Sequence, residues 1–214
     1  MFVQTEETPN ENALKFIPGN IPIAKNKPYD FADVNAATGI SKLAVKLFEI
    51  GDVARIFYGS NFITITKTDA GSWDVLKPHI FATIVEYMTN GWPIFDDEDK
   101  NIKSGETGGS CGSSAVEEKD FSNLDPELAE ALKRGLDTEN PIIKEILTLV
   151  DERVRPAVAM DGGDINVKAF VNGIVYVELL GACNGCSSSS ATLKGGVETM
   201  LKYYIPEVKA VEPI

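Results

Sequence analysis

Between Phe95 and Leu124 the hydrophobic periodicity of the chain stops. Asp96-Asp97-Glu98-Asp99-Lys100 gives way to Ser104-Gly105-Glu106-Thr107-Gly108-Gly109-Ser110-Cys111-Gly112-Ser113-Ser114. A stretch of this composition cannot bury enough apolar surface to offset the entropy of ordering it, which predicts a flexible linker. A single continuous core is thereby excluded. The 214 residues, 43% of them apolar, divide into two small globular units. We place a first domain over residues 1–95, a linker over residues 96–137 and a second domain over residues 138–214. Inside the linker, residues 124–136 read as a short helix with Asp125-Pro126 as N-cap and first helical residue. The expected class is α+β: two small α/β domains joined by a flexible Gly/Ser/acidic linker.

Charge narrows the partners. With 32 Asp and Glu against 20 Lys and Arg and one His, the net charge is −12. Counterion release from a phosphate backbone cannot drive binding to such a surface, so neither nucleic acid nor an anionic membrane is an expected partner. No apolar run reaches the length of a membrane span. The opening Met1-Phe2-Val3-Gln4-Thr5-Glu6-Glu7 is acidic and has the form of neither a secretory signal nor an Arg-rich transit peptide. A cytoplasmic protein of bacterial type is expected, with a processed mitochondrial matrix form as the other option. Three cysteines, two of them in one CxxC, make a poor framework for a secreted disulfide fold and imply a reducing compartment.

In the first domain, residues 2–5 and 13–16 read as short strands around the turn-rich Thr8-Pro9-Asn10-Glu11-Asn12. Residues 41–49 carry Leu43, Leu47 and Ile50 at helical spacing, with Gly51 placed to stop the helix. Residues 53–58 and 62–66 flank Gly59-Ser60-Asn61 as a hairpin. A longer helix over residues 73–89 turns Val75, Ile80, Ile84 and Tyr87 or Met88 toward a core. No chemical site is evident here, and His79 reads as an ordinary surface or half-buried residue. In the second domain, Asn140-Pro141 form an N-cap and first-turn pair. Ile143, Ile146, Val150 and Val154 mark one helix face, and Pro156 is expected to bend or end that helix. Asp161-Gly162-Gly163-Asp164 then breaks the chain. Ile165, Val167 and Ala169 alternate with polar residues, Asn172-Gly173 supplies the strongest short hairpin signal, and the apolar run from Ile174 to Leu180 returns. Leu193, Val197, Leu201 and Tyr204 form the stripe of a last helix that Pro206 closes. Gly195-Gly196 inside it costs about 2 kcal/mol relative to Ala-Ala. Close helix packing, approach to a partner chain, or a helix that begins after them would account for the pair.

The chemistry lies in Leu180-Gly181-Ala182-Cys183-Asn184-Gly185-Cys186-Ser187, between the second strand and the last helix. The helix N-terminus favours negative charge and biases both thiols toward thiolate, the form that ligates metal or attacks disulfides. Zinc or an iron–sulfur cluster takes four protein ligands, yet this domain has two sulfurs and no histidine. Cys111, in the Gly/Ser linker, has nothing to fix its position and reads as incidental. Three readings of the CxxC stand. The two cysteines pack as small apolar residues, they form a redox disulfide, or two chains each give two thiolates to a four-sulfur site across a two-fold dimer. The Gly- and Ser-rich setting weighs against the first. The single hairpin weighs against the second, because a thioredoxin-like fold needs a larger sheet.

The run Asp161-Gly162-Gly163-Asp164, the hairpin with Gly173-Ile174-Val175-Tyr176-Val177, then Gly181-Ala182-Cys183-Asn184-Gly185-Cys186-Ser187-Ser188-Ser189 and Thr192-Leu193-Lys194-Gly195-Gly196-Val197-Glu198 resemble the C-terminal domain of NifU-like, or Nfu-type, iron–sulfur cluster scaffold and carrier proteins. The opening residues from Gln4-Thr5-Glu6-Glu7-Thr8-Pro9 to Phe16-Ile17-Pro18-Gly19 resemble the start of the Nfu N-terminal domain. The chain departs from the family's common pattern at Ser187 and Glu11, where proline is usual, and neither departure removes a ligand. The resemblance implies a [4Fe–4S] or [2Fe–2S] cluster held between two protomers by Cys183 and Cys186 of each. It further implies an upstream assembly scaffold, delivery to apo iron–sulfur clients of the aconitase or lipoyl synthase type, and a carrier rather than an enzyme. A thiol–disulfide redox protein and a zinc-bridged dimer are the alternatives.

Overall fold

The computed structural model describes residues 2–19, 21–24, 27–96, 126–184 and 187–214, and of residues 187–193 the backbone alone. Residues 97–125 of the predicted linker, Cys111 among them, lie outside the described residues. The class is α+β, with each of two sheets drawing its strands from one side of that interval.

Strands β1 (Gln4–Glu7), β2 (Ala13–Ile17), β3 (Tyr29–Phe31), β4 (Val53–Tyr58) and β5 (Ile63–Lys67) form an antiparallel sheet in the order β1-β2-β5-β4-β3. Strand alternation gives it two different faces. Leu14, Phe16, Phe31, Ile56, Tyr58, Ile63 and Ile65 point to one face and are buried beneath α2 (Lys42–Phe48) and α3 (Trp73–Thr89), beside the short α1 (Val34–Ala37). Ser41 caps α2, accepting from the Ala44 N–H at 3.2 Å. The positions between them, Lys15, Asp30, Arg55, Phe57 and Thr64, belong to the second face. Along α3 the buried residues are Leu76, Ile80, Ile84 and Tyr87. Val75, expected inward, is 61% exposed, because the core-facing stripe is one residue out of phase at the start of the helix.

In the second unit, β6 (Gly163–Val171) and β7 (Ile174–Gly181) form the expected hairpin, with Asn172 and Gly173 both at positive φ, and β8 (Ala210–Pro213) pairs parallel to β7. Helix α5 (Pro141–Leu149) starts at Asn140, whose side chain accepts from the Ile142 N–H. The helix does not end at Pro156. A π-helical turn, Val150–Val154, leads into α6 (Arg155–Met160), and Pro156 falls in the first turn of α6, where its missing N–H is least costly. Ile143, Ile146, Val150, Val154 and Val158 stay buried throughout. The last helix, α7 (Ser187–Tyr204), runs through Gly195-Gly196, and a Cβ on either glycine would meet nothing within 4 Å. Neither close packing nor a late start therefore accounts for them in this chain. Val197, Leu201 and Ile205 are buried, whereas Tyr204 is 42% exposed and lies off the expected stripe.

A bulge between Val167 and Ala169 reverses the alternation of β6. Val167 faces the core under α5 and α7, while Ala169, expected on the same face, packs with Tyr176 against Leu128 and Ala131 of α4 (Pro126–Arg134) on the other. The helix predicted within the linker thus covers the outer face of the second sheet. Among the described residues no helix is long and apolar enough to cross a membrane.

Candidate functional site at the end of strand β7

Cys183 follows the last strand residue by two positions, in a turn closed by the Asn184 N–H donating to the Gly181 carbonyl at 3.1 Å. Cys183 is 3% exposed and packs in the core of its own domain. Beneath it lies the backbone of Gly163, where a Cβ would sit 2.6 Å from the Cys183 Sγ and 2.6 Å from the Leu180 carbonyl oxygen. The sulfur needs a bare backbone at this position. Gly162, at φ +80°, accepts from the Ala182 N–H at 3.2 Å and ties the cysteine turn to the start of β6. The pair of glycines that punctuates the sequence before β6 is therefore the floor of the cysteine turn. Cys186 lies outside the described residues, immediately before α7. Cys183 alone of the predicted ligands is placed.

The second face of the N-terminal sheet sits directly on this turn. Asp30 accepts from the Gly181 N–H at 3.2 Å, Asn10 donates through Nδ2 to the Ala182 carbonyl at 3.1 Å, and Thr64 donates through Oγ1 to the Gly162 carbonyl at 2.7 Å. Lys15 pairs with Glu6 at 3.0 Å and reaches toward the Met160 carbonyl. Around these contacts Phe57, Phe62 and Leu180 form a small buried cluster, flanked by Ile17 and Ala159. Thr64, a buried polar residue in a sheet whose other face holds the hydrophobic core, finds its partner in the other domain, whereas Lys15 pairs with Glu6 of its own.

Two buried carboxylates flank the turn. Burial pushes the Asp30 carboxyl above the ordinary carboxylate value, and the Arg55 guanidinium at 2.7 Å and the Gly181 N–H draw it part of the way back. Asp164, next to Gly163, is likewise raised by burial, against its bond from the Ile165 N–H and the nearby Arg155, 3.3 Å away. Among the described residues no three His, Cys, Asp or Glu side chains converge as a metal site, and His79 is exposed on α3. The sequence reading found no chemical site in the first domain and missed Asn10, Asp30 and Thr64. Alternation puts Asp30 and Thr64 on one face of the sheet, but it cannot show that another domain covers that face or that the turn carrying Asn10 reaches it.

The family model described as a NifU-like domain matches residues 146–212, and the model described as the N-terminal domain of the scaffold protein Nfu/NifU matches residues 3–91. The chain is 39% identical over 214 residues to the NFU1 iron-sulfur cluster scaffold homolog, mitochondrial, of Drosophila willistoni, with 100% of this chain and 64% of the relative covered. It is 40% identical over 214 residues to NifU-like protein 4, mitochondrial, of Arabidopsis thaliana, covering 99% of this chain and 65% of that one. Against the human NFU1 iron-sulfur cluster scaffold homolog, mitochondrial, identity is 40% over 215 residues, covering 100% of this chain and 72% of the relative. The chain thus spans slightly less than two thirds of the fly and Arabidopsis proteins. With both domain types present in order and this level of identity throughout, the chain belongs to the Nfu/NifU family of scaffold proteins.

Proposed function

We propose that this chain is an iron–sulfur cluster scaffold and carrier that holds a [4Fe–4S] cluster between two protomers and delivers it to apo-proteins. The observation that carries the reading is the donor set. A turn with a CxxC leads into the N-terminus of α7, in a domain with two thiols and no histidine, so one chain supplies half of a four-sulfur site. The cargo suits the donors, because cysteine thiolates are the usual ligands of iron–sulfur clusters. Relatives covering the whole chain are named iron–sulfur cluster scaffolds, which supports the same reading.

Delivery is ligand exchange. Each iron–Cys183 or iron–Cys186 bond breaks as an iron–thiolate bond to a client cysteine forms, and the proton of the incoming thiol passes to the departing sulfur or to solvent. No net redox change is needed, which makes the protein a carrier rather than an enzyme. Apo iron–sulfur proteins are the expected acceptors and an upstream assembly scaffold the expected donor, in a reducing compartment such as the mitochondrial matrix or the cytoplasm.

Anaerobic reconstitution with iron and sulfide, read as metal and acid-labile sulfide per chain together with mass in solution, tests the reading. About two iron and two sulfide per chain in a dimer is the expected result. Cys183→Ala or Cys186→Ala abolishes retention, and Cys111→Ala leaves it intact. About one iron and one sulfide per chain would make the cluster [2Fe–2S]. A zinc-only dimer, or a monomer with a reversible Cys183–Cys186 disulfide, would remove the carrier role.

A further inference from the structure

Nothing in the proposed function says what the N-terminal domain is for. Three of its polar side chains reach backbone of the second domain, and two of those bonds fall on the residues that lead directly into Cys183. Asn10 donates through Nδ2 to the Ala182 carbonyl, Asp30 accepts from the Gly181 N–H, and Thr64 donates through Oγ1 to the Gly162 carbonyl. The Ala182 carbonyl shares a planar peptide group with the Cys183 nitrogen, so a bond to it fixes the direction from which the chain enters the cysteine. The Gly162 carbonyl also accepts from the Ala182 N–H, so Thr64 holds the other side of the same turn. Each of these groups is set in place by its own domain. Asn10 Oδ1 accepts from the Asn12 N–H at 3.0 Å, and the Asn10 carbonyl accepts from the Ala13 N–H at 2.8 Å. Arg55 holds the Asp30 carboxylate at 2.7 Å. Groups fixed beforehand lose little entropy when they grip the turn.

We infer that Asn10, Asp30 and Thr64 are positioning residues for the cluster ligand: the first domain braces the backbone of the cysteine turn and thereby limits the positions that Cys183 can take. The brace acts on backbone alone, since the sulfur packs in the core of its own domain. Groups that orient a metal ligand set how long the metal stays bound, because a ligand free to swing away lets its bond to iron break without being remade. A turn released from the first domain therefore gives up its cargo sooner. The consequence for cargo rests on Cys183 being a cluster ligand, whereas the brace itself does not.

The test compares the full-length parent with Asn10→Asp and Thr64→Val. Asn10→Asp keeps the oxygen that accepts from Asn12 and loses the donor to Ala182, and Thr64→Val removes the hydroxyl at nearly constant shape. In the reduced, cluster-free protein the readout is amide hydrogen exchange at Ala182 and Asn184, whose own bonds lie within the second domain. Both amides are expected to exchange about fivefold faster in each variant, the factor a single hydrogen bond supplies, while amides in the middle of β6 and β7 keep their rates. A merely structural role would quicken all of them together. That result overturns the brace, and so do turn amides that fail to respond. After anaerobic reconstitution the same variants are expected to lose iron to a chelator about fivefold faster than the parent. Turn amides that respond while iron is retained as long as in the parent would overturn the positioning role. A parent that takes up no cluster removes the carrier reading instead, and the amide rates still decide the brace.

Discussion

Gly181 is asked for three things at once. It stands at φ +64°, and a Cβ there would lie 2.7 Å from the Gly162 carbonyl oxygen and 2.8 Å from the Phe57 ring. The backbone conformation alone costs a residue with a side chain about 1–2 kcal/mol, before either clash is relieved. Gly181→Ala is therefore expected to lower stability by about 2–3 kcal/mol in urea titrations, and an unchanged midpoint would mean that the turn relaxes freely. The neighbouring Asp30 makes stability depend on pH in a defined direction. Its folded carboxyl is raised above the unfolded value of 3.8 by burial, opposed by Arg55 and the Gly181 N–H and reinforced by the charge of Glu178. The folded chain therefore holds this proton longer than the unfolded chain does. Its contribution is fully present below the unfolded value and is lost as pH rises through the folded one. In Asp30→Asn that part of the decline should vanish from urea midpoints measured between about pH 4 and 7; a profile parallel to the parent would contradict it. At this scale the sequence is only half legible. Asp161-Gly162-Gly163-Asp164 announces a break, whereas the sulfur resting on Gly163 becomes visible only once β6 and β7 are paired.

Local periodicity identifies most of the secondary-structure elements because each is fixed by near neighbours. The Asn172-Gly173 turn, the Ser41 and Asn140 caps and the long α3 follow from adjacent residues. The differences arise where a distant contact decides. The bulge between Val167 and Ala169 sends Ala169 to α4, and the π-helical turn before Pro156 lets one helical face stay buried past a proline. The three-residue β3 is too short for any pattern to reveal and exists because β4 templates it. Helix α7 offers the test at this scale. Gly195 and Gly196 face open space, and neither has positive φ. Replacing both with alanine should stabilise the chain by about 1–2 kcal/mol, read from the urea midpoint of the cluster-free protein. A loss of stability instead would mean that these glycines meet something other than solvent, such as a second copy of the chain.

Across the whole molecule, two hydrophobic cores are joined by the small Phe57, Phe62 and Leu180 cluster and by the hydrogen bonds around the cysteine turn. The break in periodicity identifies the cores, but the contact between them leaves no trace in either domain's pattern, since the same polar alternation suits a sheet face in water. Phe57 is the residue on which this coupling depends most. It is 1% exposed, and it lies on the side of β4 opposite Ile56 and Tyr58, so its ring contributes to the interface rather than to the N-terminal core. Burying such a ring contributes about 1.5–3 kcal/mol, a large share of what a modest interdomain contact supplies. Phe57→Ser should leave both cores formed while removing most of the coupling free energy. With coupling intact, opening one domain exposes the surface of the other and the two melt together; without it each follows its own stability. Scanning calorimetry of the cluster-free chain is expected to show one transition for the parent and two for Phe57→Ser, the earlier one shifted downward. A single unshifted transition in the variant would mean that the cores are independent already, and that the sheet face touches the cysteine turn without holding it.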